Sequence, residues 1–166
     1  MNLARYFRED LVKLEMTTVV EPLGEEQSES KWQQNIKENV LDELVTLLES
    51  GVRIGNRTKL LNDYIHRERK ATTGIGHGIA IPHVRSMQAK EFSIAFARSS
   101  QGYYFDSLDN QPAHLFFIMA APPYDDDFYL KVYKSLAEML QYDSFREELL
   151  SMQTEGELMR VLRTME

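Results

Sequence analysis

The sequence predicts a single-domain α/β fold: one mixed, mostly parallel central sheet with helices on both faces. Three observations predict it. Apolar residues recur every four positions from Trp32 to Leu48, as in a helix that buries one stripe. The run from Leu115 to Ala120 is apolar on both faces, as a central strand is. Strand-like and helix-like segments are interspersed along 166 residues, with no repeat and no long linker.

Taken in order, Asn2 can cap a short helix ending near Phe7. Leu11 to Met16 follows, with Val12, Leu14 and Met16 alternating with Lys13 and Glu15, so a strand is expected. Residues 17–30, with Pro22, Gly24 and an acidic polar tail, are expected to form an irregular, mobile loop. Ser30 and Gln33 fit a capping box that opens the first long helix. Its stripe is Trp32, Ile36, Val40, Leu44 and Leu48, flanked by Leu41 and Val45, and Gly51 ends it. A second helix starts after Asn56, turns Leu60, Leu61, Tyr64 and Ile65 inward, and ends near Arg69.

Three alternating glycines, Gly74, Gly76 and Gly78, then precede a short strand, Ile79-Ala80-Ile81, that Pro82 ends. Glu91 to Arg98 reads as a strand with Phe92, Ile94 and Phe96 on one face, and Gly102 to Phe105 as a further short one. After the central strand, Asp125 to Asp127 suit the positive end of a helix marked by Leu130, Tyr133, Leu136, Ala137 and Leu140. Ser144 with Glu147, and Thr154 with Glu157, are capping boxes for two last helices.

Composition narrows the function classes. Hydrophobic residues make up 43% and charged residues 27%, ordinary for a soluble globular protein. The longest apolar run, from Leu115 to Pro123, is strand-sized, so no direct membrane insertion is expected. The N-terminus lacks the pattern of a signal peptide, and a cytoplasmic location is expected. The absence of cysteine removes disulfides, thiolate metal sites and cysteine nucleophiles. With a net charge of −7 and no basic cluster, nucleic acid is not the expected ligand, whereas a basic protein partner would suit the acidic surface.

Of the histidines at 66, 77, 83 and 114, no pair has the spacing of a zinc-binding helix, so neither metal nor cofactor is expected. His66 lies on the second helix in a solvated or packed role. His114 opens a buried strand in a structural one. His83 stands at the end of a short apolar strand, where a rigid sheet presents a side chain. The preceding glycines could aim N–H groups at an anion, although their spacing fits neither the dinucleotide fingerprint nor a Walker loop. On spacing alone the plainer reading, a glycine-rich turn beside an ordinary histidine, prevails.

The residues themselves change that balance. Glu68, then Ile75-Gly76, then Ile79-Ala80-Ile81-Pro82-His83 resembles the active-site signature of the mannitol/fructose-type enzyme IIA family of the bacterial phosphotransferase system, which includes the nitrogen-regulatory IIA proteins. Phe105-Asp106-Ser107-Leu108-Asp109, Pro112, His114 and Leu115 resemble its later strand pair, and Leu136-Ala137 through Phe145-Arg146 to Leu162 its C-terminal helices.

The resemblance implies a phosphohistidine carrier with His83 as phosphoryl acceptor. A histidine-phosphorylated small carrier protein would donate, and a IIB domain or a regulated protein would be the next partner. Arg67 would stabilise the phosphoryl oxygens, its planar fork matching them. Two positions depart from the family's pattern. Val84 stands where glycine is common after the active histidine, and Tyr129 stands where a second histidine is usual. Tyr129 can still donate a hydrogen bond to a phosphoryl oxygen. His77, in the glycine turn, is expected to face solvent. The alternative function is a regulatory binding module of the same fold with impaired phosphorylation. With no IIB or membrane segment in the sequence, regulation is the expected branch over sugar uptake.

Overall fold

The computed structural model describes residues 1–125 and 127–166. Asp126, in the acidic run expected to open a helix, lies outside the described residues. The centre is a six-stranded mixed sheet in the order β1-β5-β6-β3-β2, with β4 also pairing β6. The strands are β1 (Val12–Lys13), β2 (Gly74–Gly76), β3 (Ile79–Ala80), β4 (His83–Arg85), β5 (Ser93–Tyr103) and β6 (Ala113–Ala121). Pairings β1–β5, β3–β6 and β4–β6 are parallel, while β2–β3 and the long β5–β6 ladder are antiparallel.

Helices cover both faces, as expected from a central strand with no polar side. Along β6, Phe116, Ile118 and Ala120 pack with helices α1 (Glu29–Gly51) and α2 (Arg57–Lys70). Leu115, Phe117 and Met119 point the other way. They meet α3 (Phe128–Met139), α4 (Asp143–Ser151), α5 (Glu157–Thr164) and the N-terminal 3-10 turn Leu3–Tyr6. Period-two alternation along one strand thus feeds two separate cores.

Several boundaries differ from expectation for local reasons. The first strand keeps only Val12 and Lys13, because the chain bends at Leu14 and Glu15. Val12 and Leu14 serve one core and Met16 the other, so the three do not share a face. Residues 17–28 carry no helix or strand. The Glu43 carboxylate accepts the N–H groups of Thr17 and Thr18 at 2.7 and 2.8 Å. Trp32 Nε1 donates to Glu21 O at 2.7 Å.

The cap of α1 is Ser28, not Ser30: its hydroxyl accepts from Lys31 N at 3.2 Å, one turn earlier than the expected box. Asn56 caps α2 as expected, accepting from Lys59 N at 2.9 Å. Helix α3 is opened by Asp125, whose Oδ1 accepts from Phe128 N at 2.9 Å. Helix α4 starts at Asp143 without a side-chain cap, so Ser144 is not its opening residue. Ahead of α5, the Glu157 carboxylate receives Gln153 N and the Thr154 hydroxyl, both at 3.3 Å.

The two strands expected at Glu91–Arg98 and Gly102–Phe105 are one strand, β5, with a bulge. Gly102 takes φ +80°, and the register shifts between Arg98 and Tyr103. A Cβ at Gly102 would stand 2.6 Å from the His114 ring, so glycine here admits both the backbone twist and the close neighbour.

Candidate functional site

The strand before Pro82 stops at Ala80, and the chain resumes pairing at His83. Proline supplies no N–H to a ladder, and the kink is bridged on both sides. Ile81 N donates to Thr73 O at 3.0 Å, and Met119 N donates to Pro82 O at 2.9 Å. His83 therefore opens β4, in register with Met119, instead of ending a strand.

The imidazole lies on the α3 side of the sheet. Its ring centroid is 4.7 Å from that of Tyr133 and 6.0 Å from that of Tyr129. These two phenols sit four residues apart and so share one face of α3. His83 is only 9% exposed, less displayed than a strand-end residue was expected to be, because the tyrosines wall it in.

Its Nδ1 is 2.7 Å from Ile81 O. A carbonyl only accepts, so Nδ1 carries the proton and Nε2 of the neutral ring keeps its lone pair. Burial holds the His83 pKa below the usual histidine value. The Ile81 carbonyl and the Glu68 charge oppose that shift, and the Arg67 charge adds to it. The ring is accordingly neutral at pH 7.

Arg67 occupies the last turn of α2, half-buried, with Nη1 donating to Ala71 O at 2.7 Å. Its charge acts on both His83 and Tyr133. Arg85, two residues after His83 on the same strand, faces the same way by strand alternation. Its guanidinium lies 5.0 Å from the Tyr129 ring centroid and 3.4 Å from Asp127 Oδ1. The structure thus brings His83 and Tyr129 together, puts Arg67 near enough for its charge to act on the imidazole, and adds Tyr133 and Arg85. Sequence reasoning passed over both, although i,i+4 spacing to Tyr129 and i,i+2 spacing to His83 were available signals.

The glycine run and Val84 have local roles. The glycine run does not cradle an anion beside His83. Gly76 and Gly78, with φ of +92° and +76°, turn the β2–β3 hairpin at the far end of β3. His77 stands exposed at that tip, with its N–H donating to Asp109 Oδ2 at 3.0 Å. Where the family commonly has glycine, Val84 is a buried strand residue, and the positive-φ non-glycine residues described are His77, Asp106 and Asn110, so the departure imposes no backbone strain. His114 Nδ1 pairs with Ser99 O at 2.9 Å, a structural placement, and His66 is exposed on α2.

A neutral, oriented nucleophilic nitrogen beside arginine charge suits attack on an electrophile that carries anionic oxygens. Among the described residues, no helix is long and apolar enough to cross a membrane.

Comparison with known proteins bears on the same region. Residues 22–165 match the profile of the family described as "Phosphoenolpyruvate-dependent sugar phosphotransferase system, EIIA 2". The chain is 36% identical over 126 residues to the fructose-specific EIIABC component of Bacillus subtilis, an alignment covering 76% of this chain but only 20% of that protein. It is 33% identical to the fructose-specific EIIA component of Haloferax volcanii, covering 76% of this chain and 82% of the relative. The nitrogen regulatory protein IIA-Ntr of Neisseria meningitidis superposes with a TM-score of 0.76 at 25% identity, over 98% of this chain and 99% of the other.

Proposed function

The chain belongs to the EIIA 2 family of the sugar phosphotransferase system, and from that premise we propose that it is a cytoplasmic phosphoryl carrier that accepts and donates through His83. The observation that carries this reading is the tautomer: Nδ1–H donates to Ile81 O, which leaves the Nε2 lone pair for phosphorus.

In the loading step the Nε2 lone pair forms an N–P bond to the phosphoryl group of a histidine-phosphorylated small carrier protein. The N–P bond to the donor breaks, and its electron pair returns to the donor's ring. The proton stays on Nδ1, held by the Ile81 carbonyl. Arg67 takes phosphoryl oxygens in its fork, and the Tyr129 hydroxyl donates to another. Little covalent work remains, so alignment and charge neutralisation supply the catalysis. Unloading reverses the geometry towards a IIB domain or a regulated protein. Likeness to relatives named as a fructose-specific EIIABC component and as a nitrogen regulatory protein IIA-Ntr supports the reading for either branch.

The test is phosphoryl transfer from phosphoenolpyruvate through the general phosphotransferase enzyme and its small carrier protein. Acid-labile, base-stable label should appear on wild type and vanish in His83→Ala. Label that persists in His83→Ala, or none on wild type with active carriers, would overturn the reading.

A further inference from the structure

Glu68 adjoins Arg67 but points away from solvent: its side chain is 4% exposed, and it pairs with Lys37 Nζ at 2.8 Å. The same carboxylate accepts two hydrogen bonds from Thr73, which is 2% exposed. Thr73 N donates to Oε2 at 3.0 Å, and the Thr73 hydroxyl donates to Oε1. Thr73 O in turn receives Ile81 N at 3.0 Å, and Ile81 O receives His83 Nδ1 at 2.7 Å. An unbroken run of hydrogen bonds therefore links a buried ion pair between α1 and α2 to the carbonyl that orients His83.

We infer that Glu68 is a positioning residue for His83: by holding both donors of Thr73 it fixes the Ile81 carbonyl, and through it the tautomer and aim of the imidazole. The inference deepens the proposed function and rests on it for its kinetic consequence. Ile81, whose N–H is held by Thr73 O, directly precedes a kink at Pro82, where the chain leaves the β6 ladder between Ala80 and His83. The backbone there departs from the regular ladder, so an external anchor has something to fix. The Lys37 ammonium keeps that anchor in place, and Lys37 also lies 4.8 Å from the Phe105 ring centroid.

Two variants separate positioning from mere stability. Glu68→Gln keeps an oxygen to accept from Thr73 N and an amide to engage the Thr73 hydroxyl, but removes the charge. The double variant Lys37→Met/Glu68→Leu removes the acceptors without stranding a lone buried charge, a replacement that buried ion pairs often tolerate. The readouts are the ring-nitrogen shifts of His83 by NMR and the rate of phosphoryl acceptance. Glu68→Gln should keep the Nδ1–H tautomer and stay within about threefold of the wild-type rate. The double variant should show mixed tautomers and a rate about tenfold lower, with the KM for the donor carrier unchanged. A folded double variant with the wild-type tautomer would overturn the inference, even if its melting temperature had dropped. The tautomer is read without any transfer, so failure of wild type to accept label would count against the proposed function alone.

Discussion

Replacing Arg67 tests the charge side of the proposed chemistry most directly. Arg67 commits one N–H to Ala71 O, and no other protein partner for its fork is found among the described residues. The remaining donors can therefore engage phosphoryl oxygens. A charge-assisted hydrogen bond contributes roughly 1.5–3 kcal/mol, so Arg67→Ala should slow acceptance by about 10- to 150-fold. Arg67→Lys keeps a point charge but not the planar fork, and should recover only part of the loss. Structure supplies an independent check. The Arg67 charge helps hold the His83 pKa down, so the pKa should rise in Arg67→Ala. The assay is quench-flow transfer from the labelled carrier, paired with NMR titration of His83. A variant within about threefold of wild type, showing the raised pKa, would place the arginine near the ring yet refute its role on the phosphoryl group.

The remaining predictions concern pH and backbone. Because burial lowers the His83 pKa from 6.5, the acceptance rate should be flat through neutrality and fall as pH drops through that depressed value. The associated stability follows the same sign: present above the unfolded value of about 6.5 and lost as pH falls through the folded one. A rate that climbs towards acid would contradict it. Gly102→Ala combines a left-handed backbone with a Cβ 2.6 Å from the His114 ring and 2.9 Å from Pro112 Cβ. It should destabilise by about 2–4 kcal/mol in urea unfolding. A change within about 0.5 kcal/mol would refute that packing argument.

Legibility in the sequence followed the range of the interaction. The stripe on α1 and the doubly apolar β6 announced a sheet between two helical layers, because burial periodicity is written locally. Caps were less legible: Ser28 and Ser30 both had the chemistry, and only the path of the preceding chain selects Ser28. At the site, the signature pointed to His83, and the pairing of Arg67 with it needed the family pattern. Tyr133 and Arg85 carry no signature of their own. Spacing ties Arg85 to His83 and Tyr133 to Tyr129, but which face of α3 meets β4 is set by the crossing of the two elements, which no short window records. The glycine run read on spacing as a turn, and its exact place is set by a hairpin partner and by Asp109, 32 residues from His77.

The aromatic enclosure of His83 has a directional consequence. A phosphoramidate is useful to a relay only if its lifetime exceeds the wait for the next protein. With 9% exposure and phenol rings at 4.7 and 6.0 Å, the flanks of the imidazole are closed to water, so a phosphoryl group on Nε2 would be approached in line, along the path a partner's nucleophile must also take. In the proposed relay the two tyrosines would then act as a funnel, leaving one line along which the group can be given up.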